Sequence, residues 1–393
     1  MKTSKLKQEV INKMKERLVI KNFGPIKSVD LELGKMTILI GEQATGKSTV
    51  AKVLAMCKYF SYIVSPSPSN NSYVPMSKGF RDWGVENYLD RDTEIFYENE
   101  DYIYKISRHD NFNINFQLTE KSEKFKKLVK NYQSLYLNDK SSDKKIETWT
   151  PDSIFLINDV KKVMDNPFFF PTERGLQSIF SLGKNTLQNF SDSLFNQLAL
   201  LENISKNNRD EIEIRPLNIF YKYENGQGFT RSNKSSNYFP LRNGASGYQS
   251  SIPIVLAVKY YKEVENRERT FIIEEPEINL FPNAQKKMFD FFVENINENG
   301  HSFLIPTHSP YFLSAANDLL MAYKKGQSFP EEVMNLKIPK KYWLNPKNIS
   351  VYELKNGKAK SIINKKTGLI TDNIIDEVSD DMNDNFDKIL DIG

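Results

Sequence analysis

A chain of 393 residues can build one large domain or two to three ordinary ones. With 39% hydrophobic and 26% charged residues, 26 Phe and 19 Tyr, it is too apolar and aromatic for a disordered protein. A net charge of +4 permits a nucleic-acid partner without arguing for one. The single cysteine, Cys57, excludes an internal disulfide framework and favours a reducing compartment. The three histidines, His109, His301 and His308, offer no zinc-ligand spacing. No apolar run reaches membrane-spanning length, and the Lys-rich N-terminus lacks the apolar core of a signal peptide. The expectation is a cytoplasmic protein with no membrane partner.

In chain order, Leu6, Val10, Ile11 and Met14 are spaced like one face of a short helix. "RLVIKNFG", "SVDLELG" and "MTILIG" read as three strands, punctuated by Gly24-Pro25 and Gly34-Lys35. "MTILI" is continuously apolar, as in a strand buried on both faces. A helix is expected from Gly46 to Tyr62, followed by a loop at "SPSPSNN". "TEIFYENEDYIYKISR" and "NFNINFQL" alternate as antiparallel strands, with turns at "NED" and "HDN". Phe125, Leu128, Tyr132 and Leu135 give a Lys-rich surface helix. Residues 153 to 170 are mixed and lead into "FFFPTERG"; 176 to 209 are helical by pattern.

Strands return at 211 to 231 around "ENGQG", and a helix follows over 247 to 263. "TFIIEEPE" is a short buried strand, "NAQKKMFDFFVENI" an amphipathic helix, and "HSFLIPTHSP" a strand entering a loop. Two strands flank Asn356-Gly357, and the acidic C-terminal stretch is a helix with a frayed end. The pattern implies an α/β core with an added antiparallel sheet.

Four segments carry chemistry. "GEQATGKST", Gly41 to Thr49, matches G-x-x-x-x-G-K-[ST] between a buried strand and a helix. Backbone N–H groups of Gln43, Ala44, Thr45, Gly46 and Thr49 can wrap phosphates, aided by the helix N-terminus. Lys47 would reach the β- and γ-phosphates of ATP, and Ser48 would ligate Mg²⁺. In "FIIEEPE", adjacent carboxylates at the end of an apolar strand are costly unless used. Glu274 suits the Mg²⁺ shell and Glu275 the orientation or deprotonation of a water. "NGASGYQS" is a small-residue turn entering a helix, which offers N–H groups and the Ser246 hydroxyl to an anion; an ordinary capped helix start has the same look. In "PTHSP", His308 ends an apolar strand, where it can reach a γ-phosphate or serve the fold alone.

The order P-loop, "SGYQ", "IIEEPE", "THS" resembles the nucleotide-binding heads of ABC-type ATPases, in particular the prokaryotic RecF-, SMC- and OLD-like subgroup. "LVIKNFGPIKSVDLEL" is similar to that subgroup's opening hairpin, and "EEPEINLFP" to its Walker B and D-loop; the resemblance spans about residues 17 to 320. "GEQATGKSTVAK" and "FPTERG" look like stand-alone ATPases of bacterial anti-phage cassettes, including Septu-type systems.

The resemblance implies one P-loop NTPase head over 1–393, with an antiparallel β subdomain and a mostly helical lobe at 118–212. It implies that Ser246, Gly247 and Gln249 bind the γ-phosphate of ATP held by a second subunit, that Lys47, Glu275 and His308 are catalytic, and that Ser48 and Glu274 hold the metal. A head-to-head homodimer, or a higher oligomer, would follow. Two departures stand out: Glu274 where Asp is usual, and Tyr248 where a second Gly is common. Gln117 is a candidate for the glutamine loop, and Arg174 for a nucleotide or partner contact.

Two functions fit. One is an ATPase switch that regulates a partner effector such as a nuclease. The other is a clamp acting directly on DNA, motivated by the lysines at 121 to 130 with Lys140, Lys144 and Lys145. The run of Asp376, Glu377, Asp380 and Asp381 reads as a solvated helix face.

Overall fold

The computed structural model describes residues 16–59, 79–108, 114–138, 166–172, 211–263, 265–371 and 373–392. The expected N-terminal helix, the "SPSPSNN" loop, the "HDN" turn, Arg174, Lys140, Lys144, Lys145 and the helical pattern over 176 to 209 lie outside these residues. So do the side chains of Tyr132, Leu135, Glu377 and Asp380. Of the 118–212 lobe, the described part comprises the end of one strand, one helix and one short strand, up to the start of another.

The chain divides into two compact units. The first holds β1 (Glu16–Phe23), β2 (Ile26–Leu33), β4 (Leu89–Glu98), β5 (Tyr102–Arg108) and β6 (Ile114–Glu120). These pair antiparallel in the order β6-β5-β4-β1-β2. Alternation puts Leu18 and Ile20 of β1 and Ile95 and Tyr97 of β4 inside. Helix α1 (Lys47–Lys58) ends in this unit, where the Tyr102 hydroxyl donates to the Cys57 carbonyl at 2.8 Å. Cys57, buried at that point, has its thiol pushed far up by burial. Phe125 of α2 (Glu123–Asn138) stacks on Tyr102 with ring centroids 4.9 Å apart.

The second unit is built on β3 (Met36–Ile40), β7 (Phe168–Phe170), β12 (Thr270–Ile273), β13 (Ser302–Pro306) and β14 (Ile349–Lys355). They lie in the order β14-β3-β13-β12-β7, and every neighbouring pair is parallel. Parallel strands are covered on both faces, which is why these segments read as unbroken apolar runs. Phe292 stacks near Phe303 (4.8 Å), and Phe271 lies 5.4 Å from Phe303. Covering helices are α3 (Ser246–Glu263), α4 (Pro282–Asn299) and α5 (Pro310–Gly326), whose Val255, Met288, Phe289, Phe312 and Leu319 join the same core. Each buried large side chain contributes roughly 1.5–3 kcal/mol.

A separate antiparallel sheet has the order β11-β10-β9-β8: β8 (Ile212–Ile214), β9 (Ile219–Glu224) and β10 (Gln227–Ser232) follow from the strands read over 211 to 231, and β11 (Phe239–Pro240) adds an edge, with Asn225 and Gly226 in the left-handed conformation of the β9–β10 hairpin turn. After β14 come β15 (Lys358–Ser361) and α7 (Ile374–Leu390); a short α6 (Pro330–Asn335) follows α5. β7, β11, α5 and α6 were not expected from the sequence. β7 is a three-residue strand inside the Phe run, and α5 begins directly after the "THS" segment.

Candidate functional site

The parallel register assembles the site. The Thr307 N–H donates to the Leu39 carbonyl (3.0 Å), the Glu275 N–H to Pro306 (2.8 Å), and the Glu274 N–H to Phe170 (2.9 Å). The C-terminal ends of β3, β13, β12 and β7 are therefore locked side by side along one edge. In α/β sheets that edge is where ligands bind. It carries the P-loop after β3, Thr307–His308 after β13 and Glu274–Glu275 after β12. The "PT" of "FPTERG" leaves β7 at the same edge.

In the P-loop, Gly41 has φ 148°, Ala44 60° and Gly46 100°. Gly41 is required there: a Cβ would sit 2.4 Å from the Leu354 carbonyl oxygen and 2.9 Å from Thr45 Oγ1. The Thr45 hydroxyl donates to the Glu42 carbonyl at 2.9 Å, which closes the turn. Gln43, Ala44 and Ser48 are exposed, while Gly46, Lys47 and Thr49 are buried. The first helical bond of α1 runs from Val50 N–H to Gly46, so the N–H groups of the preceding turn have no intrahelical acceptor.

The Lys47 ammonium donates to the carbonyls of Gly41 and Glu42, both at 2.8 Å. Burial lowers its pKa, against the opposing pull of Glu275 and Glu277. His308 Nε2 lies 3.8 Å from Glu275 Oε1. The imidazole is held below its ordinary value by burial first and by Lys47 second, with Glu275 opposing. Glu275 itself sits at φ 44°, a conformation that turns the chain sharply off the end of β12. Glu275 thus faces His308 directly, and Lys47 acts electrostatically on both.

Glu274 is buried at the strand end and Ser48 exposed in the first turn of α1. A carboxylate and a hydroxyl are the hard oxygen donors that suit Mg²⁺. A glycine-built cradle with a buried ammonium suits the phosphates that such an ion accompanies.

Gly247, in the first turn of α3, packs on the segment after Glu275. A Cβ there would lie 2.6 Å from the Asn279 carbonyl oxygen and 3.2 Å from Leu280 Cδ2. Ser246 is exposed at the helix start. The Gln249 amide donates to the carbonyls of Arg242 and Gly244, 3.2 and 3.0 Å away, and so pins the turn before α3 within its own chain. Gln117 is exposed on β6, in the first unit.

One residue was missed. Glu277 accepts from the Thr307 hydroxyl and the His308 N–H, each at 2.7 Å. The third carboxylate of "EEPE" was visible, but its partners lie thirty residues on and meet it only through the β12–β13 register.

A glycine-built phosphate loop, a strand-end carboxylate pair and a histidine on one parallel-sheet edge define a P-loop NTPase. The chain belongs to the AAA ATPase domain family, whose model matches residues 14–163 and 172–313. Among solved structures, it is similar to an SMC head bound to the C-winged helix domain of ScpA, at 11% identity, covering 88% of this chain and 96% of that one, with a TM-score of 0.44. A second is the Smc head domain with an extended coiled coil bound to the C-terminal domain of ScpA from Pyrococcus furiosus (13%, 88% and 95%, 0.42). A third is the SMC head domain from Thermotoga maritima (10%, 89% and 98%, 0.41). No curated protein matches the chain. Among the described residues no helix is long and apolar enough to cross a membrane.

Proposed function

We propose that this protein binds and hydrolyses ATP at the Gly41–Thr49 loop and works as a dimeric switch for a partner effector. The observation that carries this reading is the convergence of Lys47, Glu275 and His308 at one sheet edge. Lys47 exchanges its two carbonyl acceptors for phosphate oxygens, which recovers the full interaction of a desolvated cation. Ser48 and Glu274 would hold Mg²⁺, which when bound neutralises charge on the β- and γ-phosphates. Glu275 orients the attacking water and takes its proton. His308, neutral at pH 7, donates a hydrogen bond toward the γ-phosphate.

Ser246 and the first turn of α3 cover the nucleotide of a second copy, and hydrolysis opens the pair. The effector is a protein such as a nuclease, and the setting is bacterial anti-phage defence, in the cytoplasm. The likeness of "GEQATGKSTVAK" and "FPTERG" to ATPases of such cassettes supports that placement. Direct action on DNA is the weaker reading. Lys121, Lys124 and Lys126 are already engaged by Glu98 (2.9 Å), Asp101 (3.2 Å) and Glu123 (2.7 Å), which leaves less charge for phosphates.

The test is light scattering on Glu275→Gln with and without Mg²⁺-ATP. An ATP-driven rise in mass, abolished by Ser246→Arg, supports the composite site. A persistent monomer that still binds ATP defeats it.

A further inference from the structure

Glu277 is half-buried, and burial pushes its carboxyl above the usual range, with the bonds from Thr307 and His308 opposing. Its Oε2 is buried with no hydrogen-bond partner among the described residues. An acid in such a position is costly unless its remaining contacts matter. Those contacts are the two bonds to Oε1, which fix the backbone and hydroxyl on either side of the bond joining Thr307 to His308.

The same segment, 277–280, is the bed of the α3 N-terminus. Gly247 lies against the Asn279 carbonyl, and the Ser250 hydroxyl donates to the Ile278 carbonyl at 3.3 Å. A second tie runs in parallel. Gln285 donates to the Leu280 carbonyl at 2.8 Å, and its Oε1 accepts from the Ser309 hydroxyl at 2.5 Å. Ser309 caps α5 by accepting from the Phe312 N–H. The His308 loop is thus tied at both ends to the segment that supports Ser246 and Gly247.

We infer that Glu277 is the positioning residue that fixes His308 to segment 277–280, so that the seating of the α3 N-terminus is transmitted to the γ-phosphate contact. This rests on the reading of His308 as that contact. Glu277 does not touch the nucleotide; it sets where the imidazole stands.

The experiment compares ATP turnover of wild type, Glu277→Ala, Glu277→Gln, His308→Ala and the Glu277→Ala/His308→Ala double variant. His308 is also titrated by NMR in ring-labelled protein, its signal assigned by its loss in His308→Ala. In Glu277→Ala, kcat falls about 10- to 100-fold while KM for ATP stays within about twofold. Glu277→Gln, whose amide oxygen accepts the same two bonds, stays within about threefold of wild type. The double variant is no slower than His308→Ala alone, because the two residues act as one unit. The His308 midpoint rises toward its ordinary value in Glu277→Ala and stays in place in Glu277→Gln.

Multiplying effects in the double variant, or an unmoved His308 midpoint in Glu277→Ala, overturns the inference. If wild type shows no Lys47-dependent hydrolysis, the underlying ATPase reading falls, and the titration alone still decides the tie. Should Glu277→Ala fail to fold, Glu277→Leu, which removes both bonds while filling the space, is read the same way.

Discussion

The two ends of α1 each bury a lysine, and they do so in opposite ways. At the C-terminal end, Lys58 meets both oxygens of Glu16, at 3.0 and 3.1 Å, and the Tyr97 hydroxyl donates to the same carboxylate. A cation there also faces the negative end of the helix dipole. At the N-terminal end, Lys47 has only backbone carbonyls within hydrogen-bond reach among the described residues, and it stands where the dipole is positive. One lysine is satisfied by the fold. The other is held at an electrostatic disadvantage that an incoming polyanion would remove. Equal burial therefore separates a structural lysine from a binding one only when the partners and the helix end are read together.

The comparison breaks most sharply under substitution of each lysine in turn. Lys47→Ala is expected to lower ATP turnover by at least about 100-fold, with thermal stability little changed. Lys58→Met should do the reverse: about 1–3 kcal/mol of stability lost, since Glu16 is partly exposed and loses only part of its solvation, with turnover of the folded protein retained. Denaturant melts beside steady-state ATPase assays read both, and a Lys58 variant that folds normally but cannot turn over ATP would erase the distinction.

A smaller effect is expected at Gly41. Gly41→Ala drives a Cβ into the Leu354 carbonyl at a φ that only glycine adopts easily, and nucleotide affinity should fall about tenfold or more by fluorescent-nucleotide titration. Next comes pH. His308 titrates below its ordinary 6.5, so it is neutral at pH 7 and gains a proton only as pH falls further. Turnover should therefore be flat through neutrality and decline on the acid side of 6.5, and His308→Ala should abolish that limb. Least is expected of Ser250→Ala. Its hydroxyl makes two long bonds of 3.3 Å, and a calorimetric scan should show less than about 1 kcal/mol of change.

The phosphate loop was legible because its spacing, the apolar strand before it and the helix after it are all local. Glu275 and His308 were legible as strand ends, since an apolar run that stops at a polar residue marks a sheet edge. Glu277 was not, because its meaning depends on which strands are neighbours, and no local pattern places β13 between β3 and β12. β7 was hidden by length: three phenylalanines are too few to display a period. α5 did announce itself, through Ser309 as N-cap and Pro310 in the first turn, a start signal overshadowed by the histidine before it.

The lone thiol has a practical consequence. Cys57 is enclosed by α1 and Tyr102 and has no reactive thiolate at neutral pH. A cysteine introduced at the exposed Ser246 would be the one group in the protein open to maleimide chemistry. The chain is already a labelling background in which a dye or cross-linker can test whether two copies assemble, without any residue first being removed.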